Sequence, residues 1–292
     1  MLGKKRNERG ETHMFKGFYT VTSGMLAQQR KTEILTNNMA NLNTPGFKAD
    51  QSTIRSFPDM LMSAVQSNGI PTEKGLNLLQ SREIGTLNAG VYLQETLADY
   101  AQGSLLETGL TTDVALIDTQ MPVDAESGNI GTIFFRIQHP DGNEAYTRNG
   151  NFTLDGQGNL VTGMGLYVLD ENGQQIQLQN DNFSINSAGQ IFDENGQQVA
   201  RLGVAFAANT DVLMKQDNGL YRMLEGAALP SAYETPGVVF SMQQQYLEQS
   251  NVDSAKAMTD LMTAYRAFEA NQKVLQAYDR SMDKAVNEIG KV

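Results

Sequence analysis

The chain has 292 residues, and a hydrophobic fraction of 40% allows at least one well-packed core and about two domains. It has no cysteine, which excludes disulfides, thiolate metal sites and cysteine nucleophiles. The formal net charge of −11 argues against nucleic acid as a partner, because phosphate binding requires clustered lysine and arginine. No stretch is apolar over the length of a membrane span. We expect no Sec-type signal peptide, since no basic leader precedes an apolar run.

Residues 1–13 are basic and polar and differ in composition from the rest of the chain. Codons for Glu8-Arg9-Gly10-Glu11 can spell a purine-rich run that resembles a ribosome-binding site shortly before Met14. We therefore interpret residues 1–13 as a leader that comes from upstream translation or from an artificial extension, and we place the start of the working protein at Met14.

Residues 14–44 form the first predicted helix. Apolar residues recur at steps of three and four from Phe18 to Leu42, and Thr44-Pro45-Gly46 ends the pattern because proline removes a donor and glycine favours a turn. The candidate interface residues at this end lie on that seam or among the amide side chains near its end: Phe18, Val21, Met25, Leu35, Asn37, Asn38, Met39, Asn41 and Leu42.

Residues 45–90 are predicted to be an irregular, extended linker with a turn at Asn68-Gly69-Ile70-Pro71. From residue 91 to residue 240, short β-prone runs alternate with turn dipeptides such as Asp141-Gly142, Asn149-Gly150 and Asn172-Gly173. Strands this close in sequence and joined by tight turns pair mostly antiparallel. This part of the chain is therefore predicted to be an all-β domain.

Residues 241–292 are predicted to form the second helix, with Asn251 or Asp253 as its N-cap. Its apolar seam repeats every seven residues. The candidate interface residues at this end are Met258, Leu261, Tyr265, Phe268, Leu275, Met282 and Ile289. A helix of roughly forty residues is ~60 Å long, which exceeds one compact domain, so it requires a partner along its length. The alternative is that each seam packs on the chain's own core.

Five strings within these segments resemble the bacterial flagellar rod and hook proteins, the axial family of the flagellum. They are Leu35 to Ala49, Tyr100 to Gly109, Tyr146 to Phe152, Leu247 to Asp253 and Tyr265 to Lys273. The resemblance covers residues 14–292. Between the two central strings, residues 119–128 interrupt the family pattern, which indicates a divergent distal-rod-type member.

The resemblance implies a mixed α and β fold in which long N- and C-terminal helices pair as a coiled coil beside a central, mostly antiparallel all-β domain. It also implies a structural subunit of the basal-body rod or rod–hook junction, exported through the flagellar type III apparatus without a cleaved signal. The implied partners are other rod and hook subunits, further copies of the chain and the export apparatus. From their positions, we expect Lys48, Asp253, Arg266 and Glu269 to be register-setting polar contacts.

The sequence shows no catalytic constellation. Its carboxylates lie mainly in turns, where Asp and Asn bond to the backbone, and His139 precedes a turn and has no obvious partner. Asp170-Glu171-Asn172-Gly173 and Asp193-Glu194-Asn195-Gly196 lack the alternating ligands and distal Glu of a calcium loop. We therefore predict no enzymatic activity, no cofactor and no metal.

Two other functions stay open at this point. A secreted binding module on a coiled-coil stalk, similar to an adhesin or a phage tail fibre, would also combine helices with a β domain, but a stalk needs only one helical end. An enzyme acting on cell-wall glycan is the third possibility, and it would release muropeptides from purified peptidoglycan.

Overall fold

The computed structural model describes residues 8–70, 76–125, 128–216, 219–223 and 228–289. The first seven residues of the predicted leader and the side chain of Ile289 lie outside this description. The described chain divides into two compact units. The first contains residues 8–37, 51–96 and 255–289, and the second contains residues 38–50 and 97–254.

Two long helices lie near the ends of the described chain, α1 at Glu8–Ala40 and α2 at Ser254–Lys284, and α2 continues as a π-helical turn at Ala285–Ile289. Helix α1 begins before Met14 and ends before Thr44. Its end tightens into i→i+3 bonds, since the amides of Asn41 and Leu42 donate to the carbonyls of Asn38 and Met39.

The segment from residue 241 to residue 253 is not helical, contrary to the predicted boundary of the second helix. It contains most of strand β17 (Val239–Gln244) and all of strand β18 (Tyr246–Glu248). These strands pair antiparallel with β6 (Val114–Gln120) and β5 (Leu105–Glu107). The strands pair with residues more than a hundred positions away. Helix α2 itself begins at Ser254, immediately after the predicted N-cap residue Asp253.

The first unit contains an extended hairpin in place of the predicted irregular linker. Strand β2 (Met60–Ile70) pairs antiparallel with β3 (Leu76–Leu87) along its whole length. The predicted turn at residues 68–71 is wrong in its first three positions, because the strand continues to Ile70. In addition, β1 (Asp50–Ser56) pairs with β4 (Val91–Ala98).

The second unit is an antiparallel β domain, as predicted. Its remaining described strands are β7 Thr132–Gln138, β8 Glu144–Thr147, β9 Phe152–Leu154, β10 Leu160–Thr162, β11 Ser184–Ile185, β12 Gln190–Phe192, β13 Gln198–Arg201, β14 Val204–Ala207, β15 Leu213–Lys215 and β16 Tyr221–Met223. Five of these strands form a sheet in the order β14-β7-β8-β16-β15 within the described part of the chain.

That sheet is buried on both faces, which explains the continuous apolar run in β7. Ile133 and Phe135 point into one core, whereas Phe134 points into the other with Tyr146 and Tyr221. A strand with two buried faces loses the alternation of polar and apolar residues that marks a half-exposed strand. The sheet therefore lies at the centre of the β domain, with one core packed against each of its faces.

Tight turns of one recurring type join many of these strands. In each, the first residue's amide donates to the fifth residue's carbonyl, and a glycine at the fourth position donates back to the first. These turns occupy residues 139–143, 155–159, 162–166, 170–174, 186–190 and 193–197. The fourth position has φ between +77° and +85°, a conformation that glycine adopts without steric cost. Asn149-Gly150 is an exception to the predicted turns, since Gly150 lies against the carbonyl of Val114 instead.

Among the described helices, none combines the length and the hydropathy that a membrane span requires.

Candidate functional site

Helix α2 turns a face of small residues inward, which differs from the predicted seam. Ala257 and Ala264 are buried, at 7% and 2% exposure, whereas the predicted seam residues Met258 and Tyr265 are 55% and 60% exposed. The other described members of that seam are half-buried: Leu261, Phe268, Leu275 and Met282. The face of α2 that is buried in the single chain therefore uses Ala257 and Ala264, which neighbour the predicted positions Met258 and Tyr265.

The predicted residues at the N-terminal end are mostly half-buried. This group contains Phe18, Val21, Met25, Leu35, Met39, Asn41 and Leu42. Asn38 is buried, and its side chain bonds to both the amide and the carbonyl of Asp50 at 2.9 and 2.8 Å. Asn37 is exposed, and so are Tyr19 and Leu26, at 66% and 51%.

An exposed apolar stripe runs along α2. Met258, Met262 and Tyr265 follow one another at spacings of four and three residues, which places them on one face of the helix. Their exposures are 55%, 50% and 60%. Three large apolar side chains therefore face solvent on one side of α2.

A buried group of four charged side chains lies in the β domain. We call Lys48, Asp118, Arg148 and Glu248 the junction cluster, because Lys48 follows α1 in sequence and Glu248 precedes α2. Lys48 Nζ lies 2.7 Å from Glu248 Oε1, and Arg148 Nε lies 2.5 Å from Glu248 Oε2. Arg148 Nη2 lies 2.9 Å from Asp118 Oδ1. The side chains of Lys48, Arg148 and Glu248 are at most 1% exposed.

Backbone groups form further hydrogen bonds to the charged side chains of the cluster. Arg148 Nη1 donates to the carbonyl of Ile133 at 2.8 Å, and Lys48 Nζ donates to the carbonyl of Ala101 at 2.9 Å. Glu248 Oε1 also accepts the amide of Gly103 at 2.9 Å. Lys48, Arg148 and Glu248 therefore each have an opposite charge and a backbone partner, the condition under which buried ions are tolerated.

Two glycines allow the backbone segments to come this close. Gly46 has φ +69°, and a Cβ atom there would lie 2.5 Å from the backbone of Arg148 and Asn149. A Cβ atom at Gly103 would overlap the carbonyl oxygen of Gln249. Any side chain at either position would push apart the strands that carry the junction cluster.

Asparagine and lysine side chains join the segments around the cluster. Asn251 accepts the amide of Ala49 at 2.8 Å through its carbonyl and donates to the carbonyl of Asp99 at 2.7 Å. Lys215 Nζ donates to the carbonyl of Lys48 at 2.9 Å and to the carboxylate of Asp50 at 3.0 Å. The segment after α1 is thus held by residues from the β domain and from the segment before α2.

Burial and neighbouring charges oppose each other in the pKa values of the cluster. Burial lowers the pKa of Lys48, and the positive charge of Arg148 lowers it further. Burial alone would raise the pKa of Glu248, but the charges of Arg148 and Lys48 outweigh it, so this pKa is below its usual range. The pKa of Arg148 is raised, since Glu248 and Asp118 together outweigh its burial. Glu248 is therefore the shared anion of the cluster.

Three family models match segments of this chain. "Flagella basal body rod protein" matches residues 18–48, "Flagellar hook protein FlgE/F/G D1 domain" matches residues 130–193, and "Flagellar basal body rod FlgEFG protein C-terminal" matches residues 243–288. Among curated proteins, the chain is 43% identical to the flagellar hook-basal body complex protein FlhO of Bacillus subtilis over 96% of this chain and 100% of the relative. It is 34% identical to the flagellar basal-body rod protein FlgG of the same organism over 94% and 99%. The corresponding protein of Agrobacterium fabrum is 32% identical over 88% and 93%.

The chain belongs to the flagellar basal-body rod protein family. The junction cluster draws one residue from each of the three matched segments of this rod-family protein: Lys48, Arg148 and Glu248. Segments that are far apart in the sequence therefore meet in one buried site. The strings that carried the family resemblance contain all three of these residues, but no pattern in the sequence indicated that they contact one another.

Of the four residues expected to be register-setting contacts, Lys48 is buried against its own chain, where it pairs with Glu248. Arg266, Asp253 and Glu269 are exposed, and Glu269 pairs with Lys273 at 2.8 Å. The sequence analysis assigned no role to Asp118 or Arg148. The one signal in the sequence was that Arg148, a charged residue, lies at the end of a β-prone run.

The acidic turns of the β domain use their carboxylates internally. Asp170 Oδ1 accepts the amides of Asn172 and Gln174 at 2.8 and 2.7 Å, and Asp193 accepts those of Asn195 and Gln197 in the same way. Among the described residues, no group of three or more His, Asp or Glu side chains could hold a metal ion.

The lowered pKa of Glu248 predicts a specific acid sensitivity. A carboxylate whose pKa is lowered on folding contributes stability that is complete above its unfolded value, near 4.5, and is lost as the pH falls through the folded value. We expect the free energy of unfolding to fall more steeply between about pH 6 and about pH 3.5 in the wild type than in Glu248→Gln. Urea denaturation at a series of pH values measures this. Parallel pH profiles for the two proteins would contradict the prediction, because all other carboxylates are common to both.

Proposed function

We propose that this rod-family protein is a structural subunit of the basal-body rod or of the rod–hook junction, and that it assembles through its two terminal helices. The observation that carries the proposal is the exposed apolar stripe of Met258, Met262 and Tyr265 on α2. Exposed Tyr19 and Leu26 on α1 provide a comparable surface. Covering these side chains with a neighbouring subunit removes apolar surface from water, which lowers the free energy of the assembly.

Pairing of α1 with α2 as an antiparallel coiled coil is part of the proposal. Gly17 lies against the ring of Tyr278, and a Cβ atom at Gly24 would lie 3.3 Å from the amide of Asn271. The two contacts lie seven residues apart on each helix. From the first contact to the second, the residue number rises on α1 and falls on α2, so the two helices are antiparallel. A repeat of seven supports a coiled coil, and glycine makes room for the facing side chains.

The predicted structural role agrees with the relatives, whose names are those of rod proteins and of a hook–basal body complex protein. These names are those of structural components of the flagellum, in agreement with the prediction that this chain is not an enzyme. The stalked adhesin or tail-fibre alternative is not supported. Other rod and hook subunits are accordingly its partners, and the basal body is its location. Export through the flagellar type III apparatus without a cleaved signal is part of our proposal.

A substitution series on α2 tests the assembly surface. We expect Tyr265→Asp to leave the stability of the isolated chain nearly unchanged, because the side chain is 60% exposed, and to remove the protein from basal bodies. Covering an aromatic ring is worth ~1.5–3 kcal/mol at each subunit contact, and a buried unpaired carboxylate adds a larger cost. Phe268→Asp should also block assembly, but should in addition loosen the packing of α2 because Phe268 is half-buried.

The matched control is Glu269→Ala, which removes an exposed carboxylate from the same helix. An exposed charge contributes under about 1 kcal/mol, so this variant should be incorporated far better than Tyr265→Asp even if Glu269 helps to set the register. Quantitative immunodetection in purified basal bodies is the measurement. Equal incorporation of Tyr265→Asp and Glu269→Ala would show that the stripe is not an assembly surface.

A further inference from the structure

We infer that the junction cluster is an interlock between the two ends of the chain, in which the segment after α1 closes onto the β domain only when Glu248 is in place. This concerns the folding of a single chain, and it holds whether or not the helices assemble as proposed above. The segment in question is Gly46 to Ala49, which we call the N-terminal latch.

The distribution of charge makes the latch depend on Glu248. Its two carboxylate oxygens are divided between two cations, with Oε1 on Lys48 and Oε2 on Arg148. Asp118 contacts Arg148. Without Glu248, the ammonium of Lys48 would keep only the carbonyl of Ala101 at a position that is 1% exposed. Burying an ammonium group without a counter-charge costs far more than one carbonyl bond returns.

Backbone bonds connect the latch to the same C-terminal segment. The amide of Gly46 donates to the carbonyl of Glu248 at 2.8 Å, and the amide of Ala49 donates to the side chain of Asn251 at 2.8 Å. Each of these contacts, like the ion pair between Lys48 and Glu248, spans about two hundred residues. These contacts therefore reinforce one another, since once one of them has closed the loop the others form at a lower cost in entropy.

The order of synthesis gives the interlock its consequence. The latch emerges first, and Glu248 emerges about two hundred residues later. Until strand β18 pairs with β5, Lys48 stays in water and the latch stays open. A chain that ends before strand β18 therefore cannot close the junction, whereas a chain that ends at Asp253 still can.

Amide hydrogen exchange on the full-length protein tests the interlock, with peptides covering residues 45–50 as the probe and residues 132–147 in the central sheet as the reference. In Glu248→Gln we expect exchange of the latch to accelerate by about 100-fold or more, and by a larger factor than exchange of the reference. Adding Lys48→Met removes the uncompensated ammonium, so the double variant should exchange at the latch at least about tenfold more slowly than Glu248→Gln. The control is Glu144→Gln, which breaks the ion pair with Arg136 in the same sheet and should leave the latch unchanged.

Unchanged exchange of the latch in Glu248→Gln would overturn the inference, and so would failure of Lys48→Met to slow exchange in the double variant. If Glu248→Gln does not fold at all, the double variant decides the question. Its recovery of a protected central sheet supports the interlock, and its failure to fold overturns the interlock. A defect in assembly with normal exchange behaviour would count against the interlock alone, because the proposed function rests on the stripe of α2.

Discussion

Replacing Arg148 with methionine is expected to lower the free energy of unfolding by about 3–5 kcal/mol, because the substitution removes one partner from a buried ion network. Arg148 is 2% exposed and donates to Glu248 and to the carbonyl of Ile133, and it also lies 2.9 Å from Asp118. Methionine fills much of the volume but satisfies none of these groups. Two carboxylates would then share the single charge of Lys48.

Urea denaturation with far-ultraviolet circular dichroism measures this loss. Arg148→Lys should fall between the wild type and Arg148→Met, since an ammonium keeps the charge but cannot reach both carboxylates and the carbonyls at once. The control is Arg222→Met, which removes a partner of Asp141 at an exposed turn and should have little effect. Similar losses for Arg148→Met and Arg222→Met would show that burial does not govern the energetics of the cluster.

Deletion of residues 254–292 is expected to leave the β domain folded and to abolish both motility and incorporation into basal bodies. The described cores of the β domain use residues between Tyr100 and Met242, and Glu248 also survives the deletion. What is lost is α2, with its exposed stripe and its contacts to Gly17 and Gly24. The assembly surface therefore disappears while the cores of the β domain remain.

Hydrogen exchange of the β strands and a swimming assay measure the two halves of this prediction. A second deletion that starts at Tyr246 is the control for folding. It also removes β18 and Glu248, so it should destabilise the β domain, whereas the shorter deletion should not. A strain that swims normally with the shorter deletion would refute the assembly role of α2.

Local patterns in the amino-acid chain predicted the two terminal helices and the antiparallel β domain, but not the β2–β3 hairpin or strands β17 and β18. The repeat of apolar residues every three or four positions identified both terminal helices, because this spacing places side chains on one face of a helix. Turn dipeptides such as Asp141-Gly142 and Asn172-Gly173 identified the antiparallel β domain, since a glycine with positive φ closes these turns. Both signals act over a few residues, which is the range that a local pattern can encode.

Which residues meet depends on the folded chain as a whole. The face of α2 that is buried in the single chain contains Ala257 and Ala264, whereas Met258 and Tyr265 of the predicted seam are exposed. A repeat of about 3.5 residues does not by itself decide between these two sets of neighbouring positions. Strands β17 and β18 occupy the segment predicted to begin the second helix, and their partner strands lie more than a hundred residues earlier in the chain. The ion pairs of Glu248 with Arg148 and Lys48 join residues 100 and 200 positions apart. No local pattern encodes such a contact, because its energy comes from burying opposite charges together, and that occurs only once the chain has folded.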